Sequence, residues 1–239
     1  MRPLIGVTTS LAEGDPARPA RVILNAAYVR AVEHAGGVPV LLSPYHSLET
    51  TRELLAAVEG VVLTGGGDVD PARYGEMAEA TVGGVSGLRD SYEASVIGLA
   101  MARELPLLLI CRGLQVFNVA MGGSLVQDIA ITGPEHQQDA ARTEVTHSVR
   151  VAPGSRLGAI VRAETIRTNS MHHQAVNLAG RGVCPVAWAE DGVVEGIEMP
   201  GYSGWLVGVQ WHPEELSPHD PGACALFQAF LQAACPAGG

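Results

Sequence analysis

Pro106-Leu-Leu-Leu-Ile-Cys-Arg-Gly-Leu-Gln115 is the stretch on which the fold turns. An apolar run stops at one cysteine, and a segment of helical character begins at once. A continuously apolar strand suits a parallel sheet, whose strands are covered on both faces. A turn from such a strand into a helix presents its junction residue, here Cys111, as a nucleophile at the strand's end.

Working outward, strands and helices alternate. Residues 4–8 read as a strand. Residues 22–35 read as a helix, with Val22, Ala26, Val29 and Val32 spaced by three or four. Gly36-Gly37 ends it in the usual C-terminal manner. A strand over 38–42, a helix over 48–58, a strand over 61–63 and a helix over 90–103 follow, and a further helix is expected from about Gly113. This rhythm predicts an α/β fold with a mostly parallel central sheet and helices on both faces. Beyond Ser124 the rhythm changes. Short strands near 145–151, 166–168, 183–189, 193–198 and 206–209 suggest a small antiparallel extension of the same domain. Residues 131–142 read as a polar loop and 223–233 as a closing helix. No repeat or linker divides the chain, so residues 1–239 are expected to form one domain.

A second apolar run, Trp205-Leu-Val-Gly-Val-Gln-Trp-His-Pro-Glu214, ends in a histidine and a carboxylate. Residues i and i+2 of an extended chain point the same way. Cys111, His212 and Glu214 therefore make a thiol, a base and a group to orient the base. A thiol attacks a carbonyl as thiolate, a form favoured by a helix N-terminus and by a neighbouring imidazolium. The backbone N–H of Arg112 is a candidate oxyanion donor, and Gly65-Gly66-Gly67 after the strand at 61–63 is a candidate for the second. For each feature there is a plainer reading: a packed cysteine, a satisfied core histidine, an ordinary glycine turn. It is the combination that favours chemistry. Ser170-Met-His-His-Gln174 is read equally well as a polar loop or as a binding element. His136 and His147 with this pair suggest a metal site only weakly, because no recognisable ligand spacing is present; no metal is expected.

Composition excludes several classes. The 239 residues are 47% hydrophobic, enough for a sizeable core, and the formal net charge of −10 argues against nucleic acid and anionic membranes as partners. No apolar run is long enough to span a bilayer, and the N-terminus lacks the features of a signal peptide. The four cysteines match no zinc or CxxC pattern. Free thiols in a reducing cytoplasm are the expectation.

At this point the chain resembles the class I glutamine amidotransferase-like hydrolases, and within them the γ-glutamyl-γ-aminobutyrate hydrolase family. The resemblance rests on Leu63-Thr-Gly-Gly-Gly-Asp-Val-Asp-Pro71 with Tyr74-Gly75, and on Arg89-Asp90 with Glu93. It continues in Ile110-Cys-Arg-Gly-Leu-Gln115 and Asn118-Val-Ala-Met-Gly-Gly-Ser-Leu-Val-Gln-Asp-Ile129. Asn169-Ser-Met-His-His-Gln-Ala-Val176 and Gly208-Val-Gln-Trp-His-Pro-Glu214 complete it. It implies a flavodoxin-like three-layer sandwich, a Cys-His-Glu triad, and hydrolysis of a γ-glutamyl amide to glutamate and an amine without metal or organic cofactor. Gln115, His172 and His173 become candidates for substrate contact. One position departs from the family pattern: two before the nucleophile, where glycine is usual, stands Leu109, whose side chain is expected to crowd the elbow. The expected partner is a small γ-glutamyl amine, and the triad would be the same for GABA, a polyamine or another amine. The competing readings are a glutaminase subunit that feeds ammonia to a synthase and a silent binding protein. A homo-oligomer is compatible with all of these.

Overall fold

The structure is a computed structural model, and it describes residues 1–12, 14, 16–129 and 135–235. In chain order the elements begin with β1 (Leu4–Thr8), a short pair β2 (Ser10–Ala12) and β3 (Arg21–Ile23), α1 (Ala26–Ala35), β4 (Val38–Leu42), α2 (Leu48–Ala57) and β5 (Gly60–Leu63). Next come α3 (Gly87–Ala102), β6 (Leu107–Ile110), α4 (Arg112–Ala120), β7 (Leu125–Val126), β8 (His147–Val151), α5 (Arg156–Val161), β9 (Thr165–Thr168) and β10 (Ala175–Val176). The chain ends with β11 (Cys184–Ala189), β12 (Val194–Glu198), β13 (Leu206–Val209), α6 (Pro213–Leu216) and α7 (Pro221–Ala234).

One nine-stranded sheet runs β4-β1-β5-β6-β13-β12-β11-β8-β9. Its first five strands are parallel and the remaining pairings are antiparallel. The expected α/β architecture is present, with a larger antiparallel part than the word extension suggests. The strand at 206–209, grouped from sequence with that extension, instead pairs in parallel with β6. Short local cues cannot distinguish the two, because strand direction is set by the path of the connecting chain.

The two faces of the sheet explain the apolar strands. Leu108 and Ile110 of β6 pack with Tyr28 and Val32 of α1 and Phe227 and Phe230 of α7. Leu107 and Leu109 pack on the opposite face with Val96 of α3 and Leu114 and Phe117 of α4. Each such side chain contributes about 1.5–3 kcal/mol on burial.

Local signals correct the boundaries. Helix α1 starts at Ala26, not at residue 22, because the Asn25 side chain accepts the Ala27 N–H at 3.0 Å. Val22 lies instead in β3, paired with β2. Gly36 ends α1 at φ 103, as the glycine pair predicts. Ser47 and Ser86 cap α2 and α3. Of the polar loop expected at 131–142, residues 131–134 lie outside the described residues; the rest carries an isolated bridge between Gln137 and Met171. Among the described residues, no helix is long and apolar enough to cross a membrane.

The crowding expected from Leu109 does not arise. Its neighbour in register across the sheet is Gly208. A Cβ at Gly208 would come within 2.7 Å of Ile197 Cγ1 and 3.3 Å of Leu109 Cδ1. A Cβ at Gly113 would lie 2.3 Å from the Leu63 carbonyl oxygen. Gly113 and Gly208 therefore supply the room at the turn, and Leu109 is ordinary core.

Candidate active site

Strand β6 stops at Ile110 and α4 starts at Arg112, leaving Cys111 as the junction. Cys111 takes φ 52 and ψ −109. A residue with a side chain holds such a backbone at a strain of about 1–3 kcal/mol, and only where its surroundings impose it. The N–H groups in the first turn of α4 have no partner within the helix, and Arg112 is the first of them.

His212 and Glu214 reach this junction by a route that differs from the extended chain expected. Strand β13 ends at Val209, and His212 is the residue before the short helix α6, in whose first turn Glu214 lies. Pro213 fixes the helical φ at the start of that turn. Glu214 Oε1 accepts from His212 Nδ1 at 2.6 Å, so the pairing expected from i and i+2 survives with a different backbone. The Cys111 sulfur is the second group that acts on the imidazole. Burial alone would lower the imidazole's pKa, but the charges on Glu214 and Cys111 outweigh it and push it up to about 10. His212 is an imidazolium at neutral pH.

Asn169 positions this base through the main chain. Its Oδ1 accepts from the His212 N–H and its Nδ2 donates to the His212 carbonyl, both at 3.0 Å. Tyr28 of α1 closes the other side. Its hydroxyl accepts the Gly65 N–H at 2.8 Å, and burial followed by the Glu214 charge keeps it a neutral phenol. A Cβ at Gly65 would stand 2.8 Å from His212 Cε1, 3.0 Å from the Tyr28 hydroxyl and 3.6 Å from Cys111 Cβ. The glycine loop therefore faces the cysteine and histidine directly. Because the Gly65 N–H is held by Tyr28, Gly66 and Gly67 are the loop's candidate oxyanion donors.

Beneath loop and elbow lies a buried charge network. Arg112 pairs with both Asp90 and Glu93. Arg89 pairs with Glu93 at 2.9 Å and donates to the carbonyls of Thr64 and Gly65 at 3.1 and 2.9 Å. Burial would raise the Glu93 pKa, but Arg112 and Arg89 hold it below the usual range. The Arg112 side chain is thus a support, whatever its backbone does. Removing one partner of such a pair strands a buried charge, which costs about 3–5 kcal/mol. Arg112→Met is expected to lower unfolding stability by about that amount in urea titration; a loss under about 1 kcal/mol would contradict this role.

A cavity of about 330 Å³ opens beside Cys111, walled by Gly66, Gly67, Gln115, His172 and His173 among others. Gln115 Nε2 donates to the Gln174 carbonyl at 3.0 Å and to Gln210 Oε1 at 3.2 Å. His172 has both ring nitrogens engaged inside the protein, at the Gln174 carbonyl and beside Glu195. His173 is at the mouth, with Nε2 3.1 Å from both Asp68 oxygens and Nδ1 3.1 Å from Asp128 Oδ1. The structure thus brings the cysteine, the histidine, the glutamate and the glycine loop together, and separates the two adjacent histidines into different settings. Tyr28, Asn169, Asp68 and Glu195 have no site role in the sequence reading. Glu195 carried a weak signal, as one of two carboxylates in the short strand Val194-Glu-Gly-Ile-Glu198.

A family model described as Peptidase C26 matches residues 3–214. A Schizosaccharomyces pombe protein, provisionally named a glutamine amidotransferase, is 37% identical over 85% of this chain and 79% of its own length. The γ-glutamyl-γ-aminobutyrate hydrolase of Escherichia coli is 31% identical over 88% of this chain and 85% of its own. The solved glutaminase domain of Trypanosoma brucei CTPS, with bound acivicin, superposes with a TM-score of 0.62 at 16% identity, over 97% of this chain and 93% of that one. That likeness makes the fold flavodoxin-like, in the manner of glutaminase domains.

Proposed function

The chain belongs to the Peptidase C26 family, of class I glutamine amidotransferase-like proteins, and on that premise we propose that it is a stand-alone cysteine hydrolase of γ-glutamyl amides. The observation that carries the reading is the junction of Cys111, strained at φ 52, with a His212–Glu214 pair 2.6 Å apart, beside a cavity.

In this reading Cys111 Sγ attacks the γ-carbonyl as thiolate, and the oxyanion is held by N–H groups of Arg112 and of Gly66 or Gly67. The C–N bond breaks, His212 gives its proton to the leaving amine, and a γ-glutamyl thioester remains on Cys111. Neutral His212 then takes a proton from water, whose oxygen attacks the thioester. The products are glutamate and the free amine, and the thiolate–imidazolium pair is restored. Proton transfer of this kind contributes about 10²–10⁴-fold and an oxyanion donor about 10²–10³-fold.

A second reading, a glutaminase that supplies ammonia to a synthase, is supported by the naming of the fission-yeast relative and the fold of the CTPS glutaminase domain. The purified chain, assayed without partner against glutamine and several γ-glutamyl amides, separates the two. Release of amine from γ-glutamyl-GABA or a γ-glutamyl polyamine, faster than ammonia from glutamine, supports the hydrolase. Turnover confined to glutamine overturns it.

The two adjacent histidines give a sharper expectation. His173→Ala removes a group at the cavity mouth, so KM is expected to rise or the ranking of amides to change, by roughly tenfold or more in kcat/KM. His172→Ala is expected to act mainly through stability, because its nitrogens serve the interior. Kinetics on three amides with a melting curve for each variant check this; an unchanged ranking in His173→Ala removes it from the substrate site.

A further inference from the structure

Three imidazoles converge on one carboxylate behind the cavity wall. Glu195 Oε1 lies 3.3 Å from His136 Nδ1, 3.4 Å from His147 Nε2 and 3.4 Å from His172 Nε2. His136 Nδ1 and His172 Nε2 are 3.3 Å apart. All four residues are buried. The contacts to Glu195 lack hydrogen-bond geometry: among the described residues, neither Glu195 oxygen and neither His147 ring nitrogen has a hydrogen-bond partner.

The outer nitrogens fix the tautomers. His136 Nε2 meets Asp191 Oδ2 at 3.1 Å and His172 Nδ1 meets the Gln174 carbonyl at 2.9 Å. Both partners accept, so both outer nitrogens carry the proton. In neutral rings the inner nitrogens are then lone pairs, facing one another and a carboxylate. A set of acceptors this close is held together by positive charge at its centre, either extra protons on the rings or a cation.

The distances distinguish the two. Hydrogen bonds from nitrogen to oxygen measure about 2.7–3.2 Å. Tetrahedral Zn²⁺ with bonds of about 2.0–2.1 Å has donor–donor edges of about 3.3–3.4 Å. The three contacts to Glu195 are 3.3, 3.4 and 3.4 Å, and His136, His147 and Glu195 each offer a donor atom within 4.8 Å of the other two. We propose that His136 Nδ1, His147 Nε2 and Glu195 Oε1 bind one Zn²⁺ in a buried structural site, with His172 Nε2 beside it. Asp191 orients the His136 imidazole from behind, as outer partners of metal-binding histidines do. None of the three ligands lines the cavity beside Cys111, so the ion takes no part in the hydrolysis. It joins β8 and β12 to the segment around residue 136, whose His136 carbonyl accepts the His172 N–H at 2.9 Å and so ties in the loop 169–174, whose Asn169 holds the His212 main chain.

The test uses Zn²⁺ and Co²⁺ on Cys111→Ala chain, so that the thiol beside the cavity cannot bind them. After stripping by chelator, the protein is expected to take up about one Zn²⁺ per chain near neutral pH and to melt several degrees higher with it. Co²⁺ is expected to give the intense visible bands of a tetrahedral ion without a thiolate-to-cobalt band in the near ultraviolet. Glu195→Gln is expected to lose both uptake and thermal shift. Should that variant fail to fold, stoichiometry and the cobalt spectrum still decide. Absence of uptake with identical melting in Zn²⁺ and chelator, or a cobalt spectrum that is octahedral or thiolate-bound, overturns the site and leaves a cluster of imidazolium ions around Glu195. Turnover enters none of these readouts, so the result is independent of the hydrolase reading.

Discussion

Replacing Cys111 with alanine is expected to reduce hydrolysis of a γ-glutamyl amide by roughly 10⁴–10⁶-fold, the range seen when one member of a catalytic triad is removed. Among the described residues no other thiol borders the cavity: Cys184 and Cys235 are exposed and Cys224 is partly exposed at α7. The fold should survive, since only one sulfur atom is lost from a site already open to the cavity. The backbone adds a second expectation. At φ 52 and ψ −109 alanine inherits the strain of the cysteine, while glycine is released from it. Strain of about 1–3 kcal/mol exceeds or balances the extra chain entropy that glycine gives the unfolded state, about 0.4–1 kcal/mol. Cys111→Gly should therefore be inactive and at least as stable as Cys111→Ala, by up to about 2 kcal/mol in urea unfolding. Near-normal turnover in the alanine variant would remove Cys111 as nucleophile. A glycine variant clearly less stable than the alanine variant would show that the elbow stores no strain.

His212→Ala is expected to lose nearly as much activity as Cys111→Ala, because triad members act as a unit, and Glu214→Gln roughly one to two orders of magnitude less. The amide can still accept from His212 Nδ1, but the charge is gone. That charge is, after burial, the largest influence on the imidazole and the one that most raises its pKa. The pH dependence follows. The wild-type imidazolium persists to about pH 10, so kcat/KM should hold into the alkaline range and fall near that value as the acid for the leaving amine is lost. In Glu214→Gln the raising influence is reduced, so the fall should move to lower pH. A pH profile for both proteins checks the sign. An alkaline limb unmoved in Glu214→Gln, or His212→Ala activity within tenfold of wild type, would exclude this pair from the reaction.

Much of the frame is legible in local pattern. Apolar strands such as Leu107–Ile110, glycine endings such as Gly36 and the alternation of strand and helix are local, and local patterns specify element type and the layered α/β arrangement. The position of Cys111 at a strand-to-helix junction was legible for the same reason, because the junction occupies consecutive residues. So was the nearness of His212 to Glu214, although the backbone between them turned out to be the start of α6 and not a strand.

The rest depends on contacts between residues far apart in the chain. The relief of Leu109 by Gly208 requires β6 beside β13. Tyr28 on Gly65, Asn169 on the His212 main chain, and Arg112 against Asp90 and Glu93 each join separate elements. The histidines show this most clearly. His172 and His173 are adjacent in sequence, yet one faces the interior and the other the cavity mouth, a divergence set by their separate partners, the Gln174 carbonyl and Asp68. His136, His147 and His172 have no recognisable ligand spacing, and Glu195 is one of two carboxylates in its strand. Sheet pairing of β8 with β11 and of β11 with β12, with the loop after β9 folded back, is what brings the four together. A one-dimensional pattern holds no distance between them; the fold sets it at 3.3–3.4 Å.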